Sequence, residues 1–290
     1  MVAIRHKRIQ ADGVALHVAV AGEGPPVVLL HGFPENWTSW RHQFPALVQA
    51  GFSVWAPDLR GYNLSDRPAG RAAYHLRHLI DDVAAVVRAT GAPRAHIVGH
   101  DMGGVIAWTF AGHRPPLVDK LVILNAPHPQ IYLKKVRRPP QMFKSWYVLF
   151  FQVPRLPELA LSARNFSAVR DMFVRMPFRP NAFADADVDQ YIRAISSPGA
   201  LTAALNYYRA NLRSESVHLA RSARIAADTL VIWGDHDPAL DNSLLDGLDH
   251  VVPGVQIHRI ADSGHWVQNE VPDEVNRVLI DFLCGTPSPP

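Results

Sequence analysis

Asp101 lies in the stretch Gly99-His100-Asp101-Met102-Gly103-Gly104, where an apolar strand breaks and a helix-forming run begins. Glycines on either side permit the sharp turn and close helix-to-strand approach that present one side chain at the tip of a nucleophile elbow. A serine there attacks carbonyl carbon. An aspartate is ionised at neutral pH and can instead displace a leaving group at saturated carbon, forming an ester. A turn aspartate that merely caps the following helix is the competing reading, and partner residues must decide between them. Two further groups have the right chemistry. Asp237, in Gly234-Asp235-His236-Asp237-Pro238, is an acid able to orient an imidazole, and His265, in Ser263-Gly264-His265-Trp266, is an imidazole able to act on water. Asp235 competes with Asp237 for the acid's place.

Each of these groups follows an apolar run, as expected for side chains delivered at the C-terminal ends of strands, where α/β sheets bind ligands. Arg8 to Val20 alternates around Asp12-Gly13, which predicts a hairpin of two antiparallel edge strands. Pro26 to Leu30 reads as a central parallel strand ending at His31-Gly32-Phe33-Pro34-Glu35. The backbone N–H of Phe33 is then expected beside that of Met102, the two forming an oxyanion hole, while His31 is given a structural role. Trp37 to Gln49 reads as an amphipathic helix and Phe52 to Ala56 as a strand, with Asp58 and Arg60 expected to form an ion pair in the loop that follows. A helix over Leu76 to Thr90, the elbow strand, a helix over Val105 to Ala111 and a strand over Leu121 to Leu124 come next. Later strands are expected at Thr229 to Trp233 and Gln256 to Ile260, with a closing helix over Pro272 to Leu283. Strands alternating with helices in this way predict an α/β fold, a mostly parallel sheet covered by helices on both faces.

Between Gln130 and Arg221 the alternation stops, and Pro, Arg and aromatic residues interleave with helical segments. This predicts an inserted helical cap over 130–221, flanked by two parts of an α/β core over 1–129 and 222–290. Two aromatic stretches stand out in it, Ser145 to Gln152 and Asn206-Tyr207-Tyr208-Arg209. Composition narrows the partners. The 290 residues carry 29 Lys and Arg against 26 Asp and Glu, and no long basic run tracks a phosphate backbone, so nucleic acid is not an expected partner. The single cysteine, Cys284, excludes an intrachain disulfide and a thiolate metal cluster and fits a reducing compartment. The N-terminal residues are charged and no apolar run reaches membrane-spanning length. The expectation is a soluble cytoplasmic protein with no membrane partner, no metal and no organic cofactor; its oligomeric state is left open.

With these residues placed, the chain resembles the α/β-hydrolase superfamily along nearly its whole length and, within it, the epoxide hydrolases. The resemblance rests on His31-Gly32-Phe33-Pro34-Glu35, on the Gly-His-Asp-x-Gly-Gly elbow at Gly99 to Gly104, on Gly264-His265-Trp266, and on the chain order Asp101, Asp237, His265. The family's Gly-x-x-Asp spacing from Gly234 selects Asp237 over Asp235. Its two lid tyrosines are matched by Tyr147, in Tyr-x-x-Phe-Phe-Gln, and by Tyr208, in Asn-x-Tyr-Arg. Tyr207, about 100° further round the helix, is expected to pack. The resemblance implies conversion of an epoxide and water to a vicinal diol through a covalent alkyl-enzyme ester on Asp101. Tyr147 and Tyr208 would donate to the epoxide oxygen, His265 and Asp237 would activate water, and Phe33, Trp146 and Phe150 would line a pocket for a small hydrophobic epoxide.

Met102 departs from the tryptophan that many relatives place after the nucleophile. A haloalkane or haloacid dehalogenase would use the same Asp nucleophile, but it needs side-chain donors for halide or arginines on the elbow, and Phe33, Met102 and Val105 supply neither. A non-catalytic ligand-binding scaffold is the third reading, and such proteins usually lack part of the constellation found here.

Overall fold

A computed structural model of the chain describes residues 2–212, 219 and 225–285. Among the described residues eight strands form one sheet: β1 (Arg5–Gln10), β2 (Ala15–Ala21), β3 (Pro26–Leu30), β4 (Ser53–Pro57), β5 (Ala95–His100), β6 (Val118–Leu124), β7 (Asp228–Gly234) and β8 (Gln256–Ile260). Their order is β1-β2-β4-β3-β5-β6-β7-β8. β2 is antiparallel to both β1 and β4, and every other pairing is parallel. Successive side chains of a strand point to opposite faces, so the unbroken apolar run of β3 feeds two cores. Val28 and Leu30 pack on one side, Val27 and Leu29 on the other. α1 (Gln43–Gln49) and the C-terminal helix Pro272–Cys284 cover the second side, whereas α2 (Leu76–Ala89) and α3 (Met102–His113) cover the first. The mostly parallel sheet covered by helices on both faces, expected from the alternation, is present.

Three local expectations are corrected. β2 is not an edge strand: all seven of its residues are buried between β1 and β4, and of the hairpin's two strands β1 alone lies at an edge of the sheet. The helix expected over Trp37 to Gln49 is divided into a 3₁₀ turn, Trp37–Trp40, and α1. Asn36 caps the turn, and Pro45, which lacks an N–H, fits the first turn of a helix that starts afresh at Gln43. Asp58 and Arg60 do not pair with each other. The planar Arg60 guanidinium takes both oxygens of Asp82 on α2, each at 2.6 Å. Asp58 is occupied by His17 Nδ1 at 2.7 Å, the Asn63 amide and the Trp37 N–H. Arg60 and Asp82 are both buried. Asp82→Ala would strand the guanidinium in the core, and urea denaturation is expected to show a loss of about 3–5 kcal/mol.

Six helices lie between β6 and β7: α4 (Pro129–Lys135), α5 (Gln141–Lys144), α6 (Trp146–Phe150), α7 (Leu156–Arg175), α8 (Asp185–Ile195) and α9 (Ala200–Asn211), counted over the described residues. No strand occurs among them. α7 is interrupted over Ala163 to Phe166, where Arg164, Asn165 and Phe166 have positive φ. The expected boundary between residues 221 and 222 lies outside the described residues.

Candidate active site

β5 ends at His100 and α3 begins at Met102, which leaves Asp101 as the whole of the turn, with φ +50° and ψ −120°. A non-glycine residue in that region is strained, and the surroundings must hold it there. They do so by contact too close for side chains. A Cβ on Gly103 would lie 2.2 Å from the Leu30 carbonyl oxygen, and one on Gly99 would lie 2.5 Å from that of Gly103. The Phe33 N–H donates to Asp101 Oδ2 at 2.8 Å. Met102 is the first residue of α3, where a backbone N–H has no intrahelical acceptor.

His265 arrives from the loop after β8. Its Nδ1 is 2.7 Å from Asp237 Oδ2, and its Nε2 is 3.9 Å from Asp101 Oδ1, too long for a hydrogen bond and near enough for one water to touch both groups. Asp237 is held on every side. Oδ1 accepts from the N–H groups of Ala239 and Leu240 at 2.7 and 2.9 Å, and Oδ2 accepts from Asn125 Nδ2 at 2.8 Å. Asp235 is bound instead to Arg259 at 2.8 Å. Burial disfavours a charge on His265, but Asp237, then Asp101 and Glu35, outweigh it and raise its pKa to about 9. The same burial opposes ionisation of Asp237, and its bonds to His265 and Asn125 still bring its pKa below the usual carboxylate value. Both neighbouring acids thus favour the protonated form of His265. Asp101→Asn is expected to lower the His265 pKa from about 9, read by NMR titration of the ring. An unchanged value would show that Asp101 and His265 do not interact.

A second buried layer lies under this one. His100 Nε2 donates to the His265 carbonyl at 2.9 Å, and His100 Nδ1 is 3.0 Å from Glu35 Oε2. Glu35 also accepts from the Gly32 N–H at 3.2 Å and from the Ser39 hydroxyl. Burial works against its charge, yet His100 and Ser39 bring its pKa below the usual value. Glu35, His100 and Asn125 were missed by sequence reasoning. All three stand at C-terminal strand ends beside the residues it singled out, and that position is the signal that could have found them.

The cap contributes Tyr147 from α6 and Tyr208 from α9, their rings 6.1 Å apart. Neither hydroxyl has a hydrogen-bond partner among the described residues. Burial first, then neighbouring Tyr132 and Asp101 for Tyr147, and Asp101 for Tyr208, raise both phenols well above their ordinary pKa, so both are protonated. Two cavities meet at Asp101, Tyr147 and Tyr208. One, of about 130 Å³, is bordered by Met102, Val105, Pro127 and Tyr132. The other, of about 210 Å³, is bordered by Phe33, Phe150, Met172 and His265.

Tyr207 does pack: its hydroxyl donates to the Arg60 carbonyl at 2.7 Å. His31 is buried and structural, accepting from the Leu59 N–H at 3.0 Å. Trp146 borders the larger cavity, where it was expected to line a pocket, and is mostly exposed. It precedes Tyr147 by one residue and so points about 100° away round the helix. Beside it, α5 grips the loop that carries Asp237. Lys144 Nζ donates to the carbonyls of Asp237 and Leu240 at 2.7 and 3.1 Å, while Gln141 donates to that of Ala239 and accepts from the Asp241 N–H. The element adjoining Tyr147 thus also fixes the acid.

Comparison with known proteins agrees with this geometry. The profile of the alpha/beta hydrolase fold family matches residues 25–272. The AB hydrolase superfamily protein YfhM of Bacillus subtilis (strain 168) is 39% identical over 282 residues, 95% of this chain and 96% of that protein. Epoxide hydrolase 3 of Xenopus tropicalis is 35% identical over 284 residues, 95% of this chain and 76% of that protein. Among solved structures, a Bacillus megaterium epoxide hydrolase variant complexed with its naphthyloxy-propane-1,2-diol product superposes with a TM-score of 0.87 at 33% identity, over 96% of this chain and 100% of that one. With its fold, its elbow carboxylate and these relatives, the chain belongs to the α/β-hydrolase family and, within it, to the epoxide hydrolases.

Proposed function

We infer that the chain hydrolyses small apolar epoxides to vicinal diols, with Asp101 as the nucleophile. The observation that carries the reading is a carboxylate at the elbow facing two protonated phenols across the junction of two apolar cavities. Tyr147 and Tyr208 hydrogen-bond the epoxide oxygen while Asp101 attacks a ring carbon, and the C–O bond that breaks leaves its electrons on that oxygen. The product is an alkyl ester of Asp101. His265 then takes a proton from water, which adds to the ester carbonyl, and the N–H groups of Phe33 and Met102 hold the oxyanion. The oxygen freed in ring opening takes a proton from one phenol. As the adduct collapses its bond to the alkyl oxygen breaks, and that oxygen takes the proton of the added hydroxyl. The proton gained by His265 returns to the phenolate, and the diol leaves with the Asp101 carboxylate restored.

The charge on His265 fits this order of events. Asp101 is one of the groups that raise its pKa, and esterification abolishes that charge. The imidazole therefore loosens its proton once the ester has formed, and the following step needs a base. Epoxide hydrolysis by the relatives and the aryloxy diol held by one of them support the same substrate class here. The lone exposed thiol, Cys284, is in keeping with a cytoplasmic setting. Incubation with styrene oxide is expected to yield phenylethanediol, read by chromatography. Halide release from a chloroalkane at a comparable rate, without diol from the epoxide, would replace this reading with dehalogenation.

A further inference from the structure

The outer face of the cap turns apolar side chains towards solvent. Along α5 and α6, Ser145, Val148 and Phe151 are buried, whereas Phe143, Trp146 and Leu149 are 67%, 64% and 72% exposed. Met142 and Val153, at either end of this stretch, and Leu159 on α7 are exposed as well. An exposed apolar patch of this kind on a monomer marks a surface that meets something else. Its charge indicates what that is. From Gln130 to Phe166 the chain carries seven Lys and Arg against a single acid, Glu158, and Arg209 already binds Glu158. The remaining residues carry 22 Lys and Arg against 25 Asp and Glu. Lys134, Arg137, Arg138, Arg155 and Arg164 form no ion pair among the described residues. The face also holds an entrance, because Trp146 and the exposed Met176 both border the larger cavity that reaches Asp101.

We propose that this face of the cap seats on an anionic lipid bilayer. Phe143, Trp146 and Leu149 enter the boundary between headgroups and acyl chains, and the unpaired cations lie among the headgroups. No helix among the described residues is long and apolar enough to cross a membrane, so the contact is with the surface. A clean apolar row alone would suit a second copy of the chain equally well, but a face this basic would repel its own copy and attract anionic lipid. The entrance at Trp146 then opens onto the phase in which an apolar epoxide dissolves. That last step rests on the proposed function; the docking itself does not.

Flotation with vesicles tests it. The protein should float with mixed phosphatidylcholine and phosphatidylglycerol vesicles, less so as salt is raised, and hardly at all with phosphatidylcholine alone. Arg137→Glu with Arg138→Glu, and separately Phe143→Ser with Leu149→Ser, should each weaken partitioning about tenfold or more. Both double variants should keep the wild-type kcat/KM for styrene oxide in vesicle-free buffer, so a failure to float is distinguishable from a failure to hydrolyse. Absence of binding to the mixed vesicles, or binding indifferent to both double variants, would overturn the proposal. So would sedimentation showing a dimer that Phe143→Ser with Leu149→Ser dissociates, since the face would then belong to a second copy.

Discussion

His265→Gln is expected to take up one equivalent of epoxide and stop, its intact mass raised by the mass of one substrate molecule and the adduct mapping to the peptide that holds Asp101. In the proposed mechanism ring opening draws on the Asp101 carboxylate, the Phe33 N–H that positions it at 2.8 Å, and the two cap phenols, none of which the substitution touches. Ester hydrolysis draws on the imidazole, held 2.7 Å from Asp237, and glutamine offers no comparable base. Loss of a general base costs about 10²–10⁴-fold, so steady-state diol formation should fall by that order while the first half of the reaction survives. An unmodified mass after long incubation would refute the two-step scheme. The wild type gives a companion result. The pKa of about 9 belongs to the free protein, in which Asp101 is not esterified. In rapid-quench single turnovers, ester decay should quicken as pH rises through an apparent pKa below that value and then level off, because the base must be neutral and its carboxylate neighbour has been esterified.

Conversion of both Tyr147 and Tyr208 to Phe is expected to abolish ring opening. An alkoxide leaving group generated beside apolar walls needs a donor, and each hydroxyl is placed to be one. At about 10²–10⁴-fold per general acid, the double variant should retain no measurable diol formation, and in the His265→Gln background it should form no ester. Either single variant should keep a fraction of the rate, since one phenol remains. Their raised pKa values have a consequence of definite sign: the phenols must be protonated to act, so no alkaline loss of activity from their ionisation is expected at their ordinary pKa near 10. Near-normal diol formation by the double variant would remove the tyrosines from the mechanism.

The grip of α5 on the Asp237 loop joins these two halves of the site. Lys144 and Gln141 hold three carbonyls and one N–H of residues 237–241, and Tyr147 follows three residues after Lys144. A displacement of the cap that moved Tyr147 would strain the orientation of the acid as well. The proposed donor for ring opening and the proposed orienter for hydrolysis are thereby fixed by one short segment.

Much of this was legible in the sequence by itself. Apolar runs ending in glycine marked β3, β5 and β7 and placed Asp101 and Asp237 at strand ends, because strand periodicity and turn chemistry are local properties. The elbow glycines were legible for the same reason. Only the tertiary structure decided the partners. Arg60 passes over Asp58 for Asp82, β2 lies inside the sheet, and Trp146 stands at a cavity mouth. Asn125 meets Asp237 from 112 residues away, and His100 meets Glu35 from 65. A buried polar atom takes whichever partner the packed elements bring within about 3 Å. That choice is made by strand order and helix placement, to which neither residue's own neighbourhood in the chain is a guide.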